Sequence, residues 1–326
     1  MEYKSYLTLF ENNFEKIKSH LGWSVDTRVS LMLSSQYSAR GKDFSPRSFS
    51  EVIEAIKQQT KWYHTIRMSS TLQYSLAMML DDKGDPQLAV KKLLENEQFL
   101  KSAKLTRTQY SYLAALFLPE ETEQKKRVAE NAQKLYKAIR KHHPFLTSYE
   151  DIPYVVLLSS GMDDTEVRAE TMNRYYKELR QFNFWVGNEL QWLSQILTFH
   201  SAEYVEQLVP YVVELRKQLN EQGIKIKQTH YPILGFLAVA GVQSEQIQKI
   251  SKLYKELSQF KKLRWYKDII LSIAVQKILH ELVSLTDSLE MSTITSLESL
   301  IQAEQAMMMT VTIAAVAASS SSSSSD

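Results

Sequence analysis

Apolar residues recur along this chain at spacings of three and four, the pattern of helices with one buried face. Tyr3, Leu7, Phe10, Phe14, Ile17 and Leu21 open it with one such stripe. Further on, a short motif returns: Leu135-Tyr136-Lys137-Ala138-Ile139, Tyr175-Tyr176-Lys177-Glu178-Leu179 and Leu253-Tyr254-Lys255-Glu256-Leu257. A degenerate copy, Tyr211-Val212-Val213-Glu214-Leu215, fills the gap. The period is about 40 residues, the size of a two-helix repeat. Upstream of each motif lies a shorter, more apolar helix, over residues 110–116, 153–158, 190–197 and 231–237. The polar stretches between carry helix-start chemistry. Asp163-Asp164-Thr165-Glu166 and Pro119-Glu120-Glu121-Thr122-Glu123 supply oxygens for free N–H groups and oppose the positive helix end. Gly223 and Gly241 stand where a left-handed residue would close a preceding helix.

These observations predict an all-α fold, an α-solenoid-like array of two-helix repeats of the HEAT or TPR kind, in which a short helix is followed by a long one. Earlier copies fall at 72–80 with 88–100, and at 29–33 with 49–56. The expected organisation is one repeat domain over 1–304: an N-terminal cap to about residue 70, repeats over about 71–260, and C-terminal helices over about 261–304. Ile269, Ile270, Ile273, Val275, Ile278, Leu279 and Leu282 are the packing positions of that last part. Residues 305–326, an uncharged apolar run followed by serines from Ser319 to Ser325, read as a disordered tail, or as a helix that docks on a partner, a second copy or a membrane surface.

Composition narrows the function classes. Only 8 Gly and 7 Pro punctuate 326 residues, which favours long helices over tight turns. A net charge of +2, from 39 basic and 37 acidic side chains, lacks the surplus expected of a protein that lives on phosphate backbones. With no cysteine, disulfides and thiolate metal sites are excluded. The start lacks an apolar leader and no run is long enough to span a bilayer, so a cytoplasmic protein is expected.

Three blocks carry a family resemblance. They are His143-Pro144-Phe145-Leu146-Thr147-Ser148 with Asp151 and Pro153; Gly187-Asn188 with Leu190-Gln191, Leu193-Ser194 and Ile196-Leu197; and Tyr231-Pro232 with Leu234-Gly235 and Leu237-Ala238. Together they resemble the DUF-4003 family of bacterial proteins, over most of the chain to about residue 300. The resemblance implies a cytosolic protein of Gram-positive bacteria and carries no activity, substrate or cofactor. Gln195 stands where the family more often has His, which removes a titratable ring.

The candidate chemistry is sparse. None of the seven histidines forms a His-Glu-x-x-His arrangement, so no metal site is expected and no cofactor is implied. Asp151 near His143 reads either as a carboxylate–imidazole pair for acid–base work or, with Thr147 and Glu150 as a capping box, as a helix start. Asn188 is a good N-cap, and Gln191 and Gln195 share a helix face, as stacking contacts between repeats or as ligand contacts. The candidate binding residues are therefore His143, Asp151, Asn188, Gln191, Gln195 and Tyr231, with no catalytic residue assigned. Basic clusters at Lys125-Lys126-Arg127, Arg140-Lys141-His142-His143 and Lys261-Lys262-Leu263-Arg264-Trp265 read as solvated helix ends. Tyr112, Tyr136, Tyr154, Tyr175 and Tyr254, among 17 tyrosines, read as packing positions. The expected function is a non-enzymatic module that binds or scaffolds a protein partner. A site assembled between repeats for a small ligand or for catalysis is the alternative, and weak nucleic-acid binding through basic helix ends is a second.

Overall fold

The long amphipathic segments and the short apolar ones alternate as helices through the whole described chain. The computed structural model describes residues 3–161, 164–199 and 201–285. The end of the expected C-terminal helices and the tail at 305–326 lie outside the described residues. Fourteen α-helices and no strand are present among those residues. In the first half these are α1 (Lys4–Leu21), α2 (Thr27–Ala39), α3 (Pro46–Gln59), α4 (Ser70–Leu80), α5 (Pro86–Ser102), α6 (Gln109–Ala115) and α7 (Thr122–His142). The second half adds α8 (Ile152–Leu158), α9 (Thr165–Gln181), α10 (Asn188–Leu197), α11 (Leu208–Glu221), α12 (Tyr231–Val239), α13 (Ser244–Ser258) and α14 (Lys267–Leu285).

Local chemistry sets the boundaries. Ser45 accepts from Ser48 N ahead of Pro46 in α3, Ser69 accepts from Leu72 N at α4, and Asp164 accepts from Glu166 N and Val167 N at α9. Gly223 and Gly241 close α11 and α12 at φ 82° and 61°, as the sequence predicts. Lys104 and Asn183 take the same left-handed conformation after α5 and α9 without being glycine.

The described residues fall into two compact units, residues 3–97 with 107–116, and residues 98–106 with 117–285. In the first, α1 packs on α2 and α3, α3 on α4, and α2 on α4. In the second, α7 packs on α8 and α9, α9 on α10, α11 on α12, and α13 on α14. The even-numbered helices also pack in series there, α8 with α10, α10 with α12 and α12 with α14. The expected pairing order is thus corrected: among helices consecutive in sequence, a long helix packs on the short one that follows it, as α7 on α8, α9 on α10 and α11 on α12, and not a short one on the long helix after it. A period alone does not carry its phase, because helices alternating at even spacing can be bracketed either way.

The two helix types differ in burial. The odd-numbered helices keep one face in water; Val128, Ala129, Ala132, Leu135, Ala138 and Ile139 are the buried stripe of α7. Every residue of α8 is buried, as is α12 from Tyr231 through Ala238. α8 and α12 are apolar all round for that reason.

Gly235 shows how tightly these inner helices meet. A β-carbon there would lie 2.9 Å from Ile196 Cγ2 and 3.1 Å from Leu193 Cδ1 of α10. Alanine in a helix gains about 1 kcal/mol of propensity over glycine, but overpacking a dense core costs about 1–3 kcal/mol. Gly235→Ala is therefore expected to lower stability by about 1 kcal/mol in urea unfolding. A stabilised variant would show that α10 and α12 separate freely.

Candidate functional site

Asp151 is the centre of the most elaborate buried polar cluster of the second unit. It ends a 3-10 turn, Tyr149–Asp151, that leads into α8. Its Oδ2 accepts from Ser148 N at 2.7 Å, while Ser148 Oγ accepts from Glu150 N. The capping box is thus Ser148 with Asp151, one residue along from the expected Thr147 with Glu150. Thr147 instead donates its hydroxyl to His143 O at 2.9 Å.

From α10, one turn apart, Gln191 Nε2 and Gln195 Nε2 donate to Asp151 Oδ1 at 2.8 Å and 2.5 Å. All three side chains are fully buried. Burial pushes the Asp151 carboxyl up to about 6, against the lowering effect of its three donors. The glutamine Oε1 atoms and His143 Nε2 are buried without a hydrogen-bond partner. Chemically the cluster ties the start of α8 to the flank of α10, and it lies sealed from solvent.

The other candidate residues sit apart from that carboxylate. The His143 ring packs against Tyr176 in a tilted contact, with centroids 4.6 Å apart, and burial drives its pKa down to about 4. The Asp151 oxygens are taken by Ser148, Gln191 and Gln195, so the carboxylate–imidazole pair does not form. Gly187, not Asn188, is the N-cap of α10, and Asn188 is its first helical residue. Tyr231 starts α12, where its Oη accepts from Trp185 N at 3.1 Å and its ring packs on Phe184. Among the described residues no three His, Asp or Glu side chains converge to hold a metal ion.

A second feature is the edge made by the loops entering α8, α10, α12 and α14. Contacts join these loops in order. Gln191 reaches Asp151, Trp185 N reaches Tyr231, Gln228 Nε2 donates to Val186 O at 3.1 Å, and His230 Nε2 meets Asp268 O at 3.2 Å. Large apolar side chains stand out from this edge into water: Phe145 is 98% exposed, Trp185 74% and Trp265 82%, with Val186 and Tyr149 beside them. No exposed large hydrophobic lies in the described parts of the loops leaving α8, α10 and α12. In the first unit Trp23 precedes α2, and Trp62 and Tyr63 precede α4, equally exposed.

The periodic pattern does not reveal this edge, because its aromatics stand between helices. The available signal was positional, a tryptophan in the loop before each of four even-numbered helices, at Trp23, Trp62, Trp185 and Trp265. The tyrosines read as packing divide: Tyr112, Tyr154 and Tyr175 are fully buried, whereas Tyr136 and Tyr254 are half-buried.

Fold and site together define an all-helical protein of alternating long and short helices with a sealed carboxylate–amide cluster. The chain belongs to the family described as protein of unknown function (DUF4003), which matches residues 13–306. It is similar to the "Uncharacterized protein YeaA" of Bacillus subtilis (strain 168), at 26% identity over 311 residues that span 93% of this chain and 91% of the relative. No solved structure matches.

Proposed function

We propose that this protein is a non-catalytic helical-repeat binding module whose recognition surface, in the second unit, is the loop edge before α8, α10, α12 and α14. The observation that carries the reading is the set of side chains there, Phe145, Trp185 and Trp265, held almost wholly in water. Large exposed apolar groups gathered on one edge are the usual mark of an interaction surface. The repeat reading, in the solenoid class, is supported by seven successive helix pairs, six of them a longer helix followed by a shorter one and the last α13 with the longer α14. Their first helices start at Lys4, Pro46, Pro86, Thr122, Thr165, Leu208 and Ser244, at a mean step of about 40 residues.

The test is a photo-crosslinking amino acid placed at Trp185 or Trp265 in the living host, with Glu203 on the opposite loops as control. Adducts with one macromolecular class from the edge sites, and none from Glu203, are the expected result. Equal or absent adducts from all three sites would sink the reading.

A second reading, a small polar ligand at the Asp151 cluster, is favoured by the buried and unpartnered oxygens of Gln191 and Gln195. It expects native mass spectrometry of gently isolated protein to show a small adduct that Asp151→Asn abolishes. Identical masses for the two proteins would remove it.

A further inference from the structure

Resting on the reading of this loop edge as the recognition surface, we infer that its partner is the surface of an anionic lipid bilayer. The edge combines two kinds of group. Phe145 projects from the loop before α8, Trp185 and Val186 from the loop before α10, and Trp265 from the loop before α14. Interleaved with them are exposed cations: Lys225 and Lys227 before α12, and Lys261, Arg264 and Lys267 around the entry to α14. Arg264 lies over the Trp265 ring, 5.9 Å from its centroid.

The acidic groups facing the same edge are fewer, and of them Glu221 at the end of α11 is exposed. Glu189 is half-buried and accepts from Gln228 at 3.0 Å, and Glu150 and Asp268 are half-buried. The loops at the other ends of the short helices differ in sign. Asp164, Glu203 and Glu206 lie there, exposed, without large exposed apolar side chains in the described residues. The loops entering the even-numbered helices of the second unit thus carry its exposed tryptophans and an excess of cations, and those leaving them carry Asp164, Glu203 and Glu206, while Lys141 at the end of α7 pairs with Glu166 of α9 at 2.7 Å.

This chemistry fits a headgroup layer better than a protein groove. Phe145, Trp185 and Trp265 stand on three separate loops, each with exposed polar and cationic neighbours, whereas the centre of a protein interface is depleted of charge. They can each enter the interfacial zone independently, where amphipathic aromatic rings settle. Lysine and arginine beside them add attraction to anionic lipid that falls off within a Debye length. No helix among the described residues is long and apolar enough to cross a membrane, so the contact inferred is peripheral.

The experiment is co-sedimentation of the full chain with phosphatidylcholine vesicles, with and without phosphatidylglycerol, read together with tryptophan fluorescence. Binding is expected only with phosphatidylglycerol, with a blue shift of emission and a decline as salt rises. Lys261→Ala and Arg264→Ala are each expected to weaken partitioning about five-fold, the effect of removing one cation from an anionic surface. Trp185→Ala with Trp265→Ala should abolish the blue shift at unchanged helical circular dichroism, while Glu203→Ala leaves binding intact.

Three outcomes would overturn the inference. They are equal binding to both vesicle types, binding indifferent to the edge variants, and a single-stranded oligonucleotide that binds the same edge in place of vesicles. If vesicles do not bind yet the crosslinker at Trp185 captures one defined protein, the lipid inference fails while the recognition edge stands. If neither occurs, both fail.

Discussion

Asp151→Ala is expected to lower the free energy of unfolding by about 3–5 kcal/mol, the largest single effect in the second unit. The side chain accepts from Ser148 N, Gln191 Nε2 and Gln195 Nε2, and all of it is buried. Alanine removes the acceptor that all three donors share, leaving Gln191 Nε2 only its long contact with Thr147 Oγ1 at 3.5 Å, and each orphaned buried group costs about 1–3 kcal/mol, incompletely additive because they share one cavity. Asp151→Asn separates hydrogen bonding from charge. Its amide oxygen can still serve both glutamines, while its NH2 faces Ser148 N and forfeits the cap, a loss of about 1 kcal/mol.

The pH dependence follows from the same burial. The carboxyl titrates near 6 in the folded chain, against an ordinary 3.8. Between those values the folded chain keeps a proton that the unfolded chain releases. The stability contributed by the protonated form is therefore complete below about pH 4 and lost as pH rises through about 6. Asn carries no such dependence, so the deficit of Asp151→Asn relative to the parent should shrink across that window. Urea unfolding of both proteins from about pH 4 to pH 7 measures it. A deficit constant with pH would mean that the carboxyl is not perturbed, and an Asp151→Ala loss under about 1 kcal/mol would mean that the cluster is hydrated.

Much of the fold was legible because helical periodicity, end chemistry and repeat spacing all point one way. Of the expected opening stripe, Tyr3, Phe10, Phe14 and Ile17 are buried while Leu7 and Leu21 are half-buried; Asp164 caps α9, and Arg140 and Lys141 lie at the end of α7. The phase of the pairs was not legible. Hydrophobicity marks a helix as inner or outer, but the choice of neighbour depends on loop geometry, such as the 3-10 turn before α8. At the candidate cluster, Gln191 and Gln195 were visible as a polar face on an apolar helix. Their common acceptor was not, because Asp151 is distant in sequence and its place one residue along in the capping box decides where it points. The aromatic edge was hidden for a different reason. Periodicity reads helices, and Phe145, Trp185 and Trp265 stand in the loops between them.

Arg107→Ala, in the first unit, tests a buried ion pair by removing its outer half. Glu97, on α5, has a side chain only 1% exposed, and Arg107 grips it with Nη2 at 2.5 Å and Nε at 3.0 Å from its carboxylate. Arg107 keeps 29% of its side chain in water, so it could hydrate alone, whereas Glu97 could not. Losing Arg107 leaves an uncompensated buried charge and is expected to cost about 3–5 kcal/mol. Glu97→Gln should cost less, because a neutral amide replaces the buried ion and Arg107 retains solvent. The double variant should then be more stable than Arg107→Ala alone, a positive coupling visible in a double-mutant cycle. His64 supplies an independent readout. Its Nε2 lies 3.3 Å from Tyr112 Oη, and burial together with the nearby Arg107 charge holds its pKa below the usual histidine value. Arg107→Ala removes that repulsion and leaves Glu97 to attract a proton, so the His64 titration followed by NMR should move upward. A cost under about 1 kcal/mol, as for an exposed pair, with an unmoved His64 titration would show that water reaches Glu97 and screens it.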